Sequence, residues 1–268
     1  MNHKDYKILC EQLMPTVETV GAFIQGEVNR VNIDDIETKD RNSLVSYVDK
    51  EAEKMLVRDL RRILPTSGFI TEENTVERSD SSQTWIIDPL DGTNNFLHRI
   101  PHFAISIALQ VDGDIVIGIV YDVCKQDCYW AIKDGGAFIN DVRINTSKTS
   151  LVESAMIATG FPYSIRDEYP IVNTLRYFMK EARGIRRYGA AALDLAYVAC
   201  GRFDCYYETT LNSWDIAAGS LIVSEAGGRV TEFDGSHRFL ESGQIVASND
   251  HIHEELLQVF HQQFFNSN

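Results

Sequence analysis

The sequence predicts an α+β protein built in layers, with helix pairs covering mixed and antiparallel sheets. Three observations predict it. Helical spacing opens the chain, strand-like runs follow, and helices then alternate with strands to the C-terminus. Between Phe103 and Ile139, three apolar, β-branched runs are punctuated by Asp112-Gly113-Asp114, Lys125-Gln126-Asp127 and Asp134-Gly135-Gly136, the pattern of an antiparallel meander. No repeat, low-complexity tract or Gly/Ser linker divides the 268 residues, and the 44% that are hydrophobic suffice for one large core or two fused ones. One domain over 1–268 is expected, with an N-terminal α+β half (about 1–148) and a C-terminal α/β half (about 149–268).

In chain order, Leu9, Leu13, Val17, Val20, Phe23 and Ile24 put a helix over Tyr6 to Val28, with Pro15 expected to kink or shorten its first turns. A second helix runs from Tyr47 to Leu64, with Ala52, Met55, Leu56, Leu60 and Ile63 inward, and Pro65 stops it. Gly68–Thr71 and Thr84–Ile87 read as strands, the latter ending at Asp88-Pro89. After the meander come a strand at Ser154–Thr159, a helix at Glu168–Glu181, a small-residue helix at Ala190–Cys200 and a strand at Phe203–Glu208. A helix at Trp214–Glu225 closes on Gly227-Gly228, followed by a strand at Gln244–Ala247 and a last helix at His251–Phe264.

The formal net charge is −14, which repels nucleic-acid backbones, so direct nucleic-acid binding is not expected. An anionic substrate remains compatible if bound cations reverse the sign locally. No apolar run approaches the length of about eighteen residues that spans a membrane, and MNHKDYKILCEQ lacks the apolar stretch of a secretory signal; a cytoplasmic location is expected. The five cysteines are an odd number, which fits free thiols. Cys124 and Cys128 flank a turn and could face each other, but no second Cys or His pair stands at zinc spacing. The glycine and lysine patterns of kinases, serine hydrolases and dinucleotide-binding dehydrogenases do not occur.

Three acidic stations carry the chemistry: Thr71-Glu72-Glu73-Asn74 just past a strand, Trp85 to Phe96 with Asp88 and Asp91, and Trp214-Asp215 entering a helix. At the second, Pro89 turns the chain after Asp88, so Asp91 can return its carboxylate to the same side, with the Leu90 carbonyl between them. Two carboxylates and a carbonyl make a hard-oxygen site suited to Mg²⁺. Gly92 lets the backbone approach a ligand, and the amides of Gly92 and Thr93 can point at a phosphate. Asp-x-x-Asp-Gly alone is also ordinary turn composition. An EF-hand is excluded, because the twelfth position from Asp88 is Arg99 rather than Glu.

The string WIIDPLDGTNNF (85–96) resembles the signature of the inositol monophosphatase family, and WDIAAGSLIVSEAGG (214–228) resembles its second signature. ITEEN (70–74) looks like the family's Glu-Glu metal-binding segment, and LVSYVDKEAE (44–53) like its early Asp-bearing helix start. The resemblance spans about residues 5 to 260. It implies an αβαβα sandwich and a Mg²⁺-dependent, lithium-sensitive phosphoric monoester hydrolase acting on a small phosphorylated metabolite. Glu72, Asp88, the Leu90 carbonyl and Asp91 would hold one Mg²⁺, with Asp88, Asp91 and Asp215 holding a second and a weaker third ion near Glu72. Shared carboxylates would set two ions roughly 3.5–4 Å apart, one activating water and one stabilising the leaving oxygen.

By the same resemblance Asp49 and Thr93 orient the attacking water, with Glu72 beside them in the catalytic group. A plain helix-start acid is the other role open to Asp49 and to Asp215. The substrate would touch Gly92, Thr93, Gly189, Ala190, Ala191, Glu208 and Asp215. Inositol monophosphate is the expected substrate. Fructose 1,6-bisphosphate, a 3′-phosphoadenosine nucleotide or histidinol phosphate are alternatives, as is a regulatory RNA- or protein-binding role; a homodimer is the family's usual assembly. Lys39 lies near the place of a lysine bordering the weak third site, and Phe161-Pro162-Tyr163 replaces polar residues of some relatives. Arg186 and Arg187 could serve phosphate or a subunit interface.

Overall fold

Apolar residues at every third or fourth position wind His3–Glu27 into α1, which buries Leu9, Leu13, Val17, Val20 and Ile24 on one face. The computed structural model describes residues 3–31, 37–40, 43–79, 81–161 and 169–264; Pro162, Tyr163 and Glu168 and the side chain of Lys39 lie outside what is described. α1 runs unbroken through Pro15, so the proline does not shorten it. It sits on the exposed face, as does Glu11 one turn earlier, so the carbonyl that loses its N–H partner is on the water side.

A short hairpin, β1 (Glu37–Asp40) and β2 (Ser43–Val45), leads into α2 (Tyr47–Ile63). Ser46 caps α2 and Asp49 returns the bond to the Ser46 amide, a reciprocal capping box. The first sheet then assembles from β3 (Gly68–Thr71), β4 (Gln83–Asp91), β5 (Ala104–Val111), β6 (Asp114–Asp122), β7 (Asp127–Ile132), β8 (Gly136–Ile139) and β9 (Val142–Ile144), with the one-turn helix α3 (Thr93–Leu97) between β4 and β5. The seven strands lie in sequence order, parallel between β3 and β4 and antiparallel elsewhere. The predicted meander from Phe103 to Ile139 thus holds four strands rather than three runs, because Gly136–Ile139 adds a short strand on β7, and β9 extends the sheet beyond it. Cys124 and Cys128 do not face each other: Cys128 stands opposite Tyr121 and donates to the Met14 sulfur at 3.4 Å.

The second half supplies β10 (Met156–Thr159), α4 (Tyr169–Glu181), β11 (Gly184–Arg186), α5 (Ala191–Ala199), β12 (Cys205–Glu208) and α6 (Ser213–Glu225). β13 (Gly228–Thr231), α7 (Phe239–Ser242), β14 (Ile245–Asn249) and α8 (His253–Phe264) complete the described chain. The second sheet runs β11-β10-β12-β14-β13 and is mixed, parallel at β11-β10-β12 and antiparallel beyond.

Five layers result, as predicted. α1 and α2 cover one face of the seven-stranded sheet, α5 and α6 fill the space between the sheets, and α4 with α8 cover the far face of the second. Alternation along each strand assigns the faces: Trp85 and Ile87 join the α1/α2 core, whereas Ile86 joins the central one. Gly118 lets α6 lie directly on the sheet, since a Cβ there would stand 2.5 Å from the Ala218 carbonyl. At the start of α6 the Ser106 hydroxyl donates to the Trp214 carbonyl at 3.0 Å, and Ser106 is the strand partner of Asp88.

The outer layer contains a titrating group. His253 is fully buried, its Nδ1 2.7 Å from Ser248 Oγ and its Nε2 2.9 Å from Thr231 Oγ1. Burial, then the charge of Arg229, lowers its pKa to about 4 from 6.5. Above pH 6.5 the ring is neutral folded or unfolded; between 6.5 and about 4 only the unfolded chain takes up the proton, so stability falls as pH drops through that window. The loss reaches roughly 3 kcal/mol. Urea unfolding of His253→Gln is expected to lose stability less steeply than the wild type from pH 6.5 to 4.5; parallel curves would contradict the assignment.

Candidate active site

β4 runs on to Asp91, where the sequence predicts a strand ending at Asp88-Pro89. Asp88 pairs with Ser106 and Asp91 with Ala104, so two residues of β4, Pro89 and Leu90, stand against the single Ile105 of β5. Proline has no N–H for the ladder, and the bulge absorbs the misfit while the strand continues. Asp88 and Asp91 thereby come from one bulged strand end, both buried. Gly92 follows at φ +89°, where a side chain would be strained, and starts α3 with Thr93.

Thr93 Oγ1 lies 2.9 Å from Asp49 Oδ1 and 2.9 Å from the Leu90 carbonyl oxygen. The other oxygen of Asp49 accepts from the amide and the hydroxyl of Ser46, at 2.8 and 2.7 Å. Asp49 therefore combines the two roles left open for it, closing the capping box of α2 while holding Thr93. Asp215 is likewise the third residue of α6 and accepts from the amide of Asn212 at 2.6 Å. Asp91 meets the start of α5: the amide of Ala191 donates to its Oδ1 at 3.2 Å and that of Ala192 to its Oδ2 at 2.8 Å. Gly189 (φ +81°) and Ala190 lead into that helix, so the predicted small-residue segment stands against the bulge.

The acids converge electrostatically. Burial pushes Asp88 well above the usual carboxylate range, and the charges of Glu72, Asp91 and Asp215 push further the same way. Burial raises Asp91 to about 7 despite the Ala192 amide, and raises Asp215 to about 7 despite its bond from Asn212. Asp49 is also raised, by burial against the Ser46 and Thr93 bonds. Glu208 rises to about 7, chiefly by burial; it accepts from the Tyr206 hydroxyl at 2.5 Å and packs so tightly on Gly160 that a Cβ there would collide with its carboxylate.

Among the described residues no three His, Cys, Asp or Glu side chains are already grouped as a cage for one ion. The donor set nonetheless fits a hard divalent cation. Asp88 is buried among like charges, and each carboxylate oxygen that accepts one amide keeps a lone pair. Arg186, by contrast, is exposed and donates to the Ile185 carbonyl; Arg187 is exposed, stacks 5.9 Å from the Phe161 ring and lends its charge to Glu208.

Three supports escaped the sequence reading. Glu53, fully buried on α2, accepts from Thr71, Glu73 and Thr75 and so holds the loop of Glu72. The signal available was an acid four residues after Asp49, on the apolar face with Ala52 and Leu56. Asn95 donates to the carbonyls of His102 and Tyr188, both at 2.8 Å, tying the bulge loop to the Gly189 segment. Asp194, buried in α5 with one oxygen lacking a hydrogen-bond partner, is pushed well above the usual range by burial and by Glu208 and Asp91.

The chain matches the model of the Inositol monophosphatase family over residues 6–264. It is 41% identical over 253 residues to an inositol-1-monophosphatase of Rhizobium meliloti, covering 94% of this chain and 95% of that one. It is also 41% identical over 247 residues to Nus factor SuhB of Pseudomonas aeruginosa, covering 89% of this chain and 90% of that one. Among solved structures, extragenic suppressor protein suhB from Bartonella henselae superposes with a TM-score of 0.89 at 39% identity, covering 94% and 98% of the two chains. An IMPase of Thermotoga maritima superposes with a TM-score of 0.85 at 33% identity, covering 93% and 95%.

Proposed function

Because the chain belongs to the inositol monophosphatase family, we propose that it is a phosphatase for a small phosphate monoester, inositol monophosphate foremost. The observation that carries this reading is the meeting of Asp88, Asp91 and Asp215 next to the Asp49–Thr93 pair. Glu72, Asp88, the Leu90 carbonyl and Asp91 would hold one Mg²⁺, and Asp88, Asp91 and Asp215 another. Magnesium there supplies positive charge for the phosphoryl oxygens and lowers the pKa of water.

The chain's own groups do the rest. With the Thr93 hydroxyl hydrogen directed to Asp49 Oδ1, the Thr93 oxygen is an acceptor for the attacking water and orients it. The buried Ser46 bonds fix Asp49 in that pose. The amides of Gly92 and Thr93 offer donors to the phosphate. As the water oxygen bonds to phosphorus, the ester oxygen departs and takes a proton, giving the alcohol and inorganic phosphate.

Glu208 and the Gly189–Ala191 segment would take the alcohol part of the substrate. Glu208→Ala is expected to lower kcat/KM for polyol phosphates by roughly 10- to 100-fold, the worth of a charged hydrogen bond. An aryl phosphate, which has no hydroxyl to offer, should be hydrolysed nearly as before. An unchanged ranking of polyol phosphates would remove Glu208 from substrate recognition. The reading as a whole is tested by measuring phosphate release over a panel of metabolite phosphates, with Mg²⁺ and with EDTA; no release from any of them would overturn it.

A second reading, a regulatory role, is favoured by the Nus factor name of a relative at the same 41% identity. It gains if a catalytically silent Asp88→Asn chain still performs the cellular role that deletion removes.

A further inference from the structure

The geometry points to Glu53 as the positioning residue that sets metal affinity at Glu72, an inference that rests on the proposed phosphatase site. Glu53 is fully buried and touches no reacting group. Its Oε2 accepts from the Glu73 amide at 2.8 Å. Its Oε1 accepts from the Thr75 amide at 2.7 Å, the Thr75 hydroxyl at 2.7 Å and the Thr71 hydroxyl at 2.9 Å. Two backbone donors just past Glu72, the amides of Glu73 and Thr75, thus end on two different oxygens of one carboxylate.

The same helix face holds the other side of the site. Asp49 lies one turn before Glu53 on α2 and grips Thr93. One rigid helix therefore spaces the Glu72 loop from the bulge of β4, and α2 itself is anchored by its buried apolar face. Groups that orient metal ligands from behind typically cost 10- to 100-fold in metal affinity when lost.

Only a carboxylate satisfies both amides. In glutamine, whichever way the side chain is turned, the NH₂ group opposes either the Glu73 or the Thr75 N–H, donor against donor. The loop must shift, and Glu72 with it.

The test is a Mg²⁺ titration of Glu53→Gln by two readouts: phosphate release, and the rise in Tm of the protein without substrate. Both midpoints are expected to move up about 10- to 100-fold, while most of kcat returns at saturating Mg²⁺. A role in stability alone would lower the metal-free Tm and leave both midpoints where they are in the wild type; that result would overturn the inference. If Glu53→Gln does not fold, Thr75→Val removes one of the four donors and is expected to shift the midpoints in the same direction by a smaller factor, with no shift counting against it. A wild-type chain with no Mg²⁺-dependent rise in Tm would instead sink the metal site itself, and the Glu53 inference with it.

Discussion

Replacing Asp88 by Asn is expected to reduce phosphate release by about a thousandfold or more while leaving the fold intact. Asp88 is the carboxylate on which the neighbouring negative charges of Glu72, Asp91 and Asp215 all bear, and it would be shared by both ions. Losing it removes several kcal/mol of charge stabilisation, and each 1.4 kcal/mol or so is tenfold in rate. The same change has an opposite effect on the metal-free protein. A buried carboxylate held well above its ordinary pKa costs folding free energy when ionised, so the neutral, isosteric amide is expected to raise the metal-free Tm by a few degrees. Magnesium at about a hundred times its Kd should stabilise the wild type by roughly 2.7 kcal/mol, and this gain should be lost in the variant. Thermal melts with and without Mg²⁺, beside a phosphate-release assay, read all three effects. An active Asp88→Asn chain with unaltered magnesium dependence would defeat the site.

Thr93→Val is expected to lower kcat by about 10²- to 10⁴-fold, the range that positioned proton acceptors contribute. KM and the Mg²⁺ midpoint should change far less than kcat, because valine keeps the backbone amide and the shape of the side chain, and loses at Leu90 only the hydroxyl contact to its carbonyl. Thr93→Ser, which restores the hydroxyl, should recover most of the rate. The structural cost is modest: Asp49 loses one donor at Oδ1 and keeps both Ser46 bonds on Oδ2, a change of about 1–2 kcal/mol that a melt reports separately. A Thr93→Val chain within threefold of the wild type would take water orientation away from this residue.

How much of this was legible in sequence varied with the range of the interaction. α2 begins at Tyr47 as predicted and ends one residue early, because Ser46, Asp49 and Pro65 act on their immediate neighbours. The extension of β4 through Asp88-Pro89 was not legible, since the bulge exists only when Ala104 and Ser106 of β5 supply partners two residues apart. The persistence of α1 through Pro15 depended on which face met water. At the site, the acidic stations stood out as motifs. Glu53 did not, because its donors lie 18 to 22 residues away, and Asn95, though inside the 85–96 string, gave no local sign of its bracing role, because its acceptors lie up to 94 residues away.

By itself, then, the amino-acid order determined the long helices and the main strands, the layered α+β class, and the acidic residues worth suspecting, since periodicity, caps and turns act over a few residues. Tertiary structure alone decided that Asp91 meets the amides of α5, that Asp215 arrives beside Asp88, and that one carboxylate behind the Glu72 loop holds it in place. Those meetings follow from close packing at contacts such as Gly118 on Ala218, where the fit of distant surfaces, rather than any local preference, sets the distance.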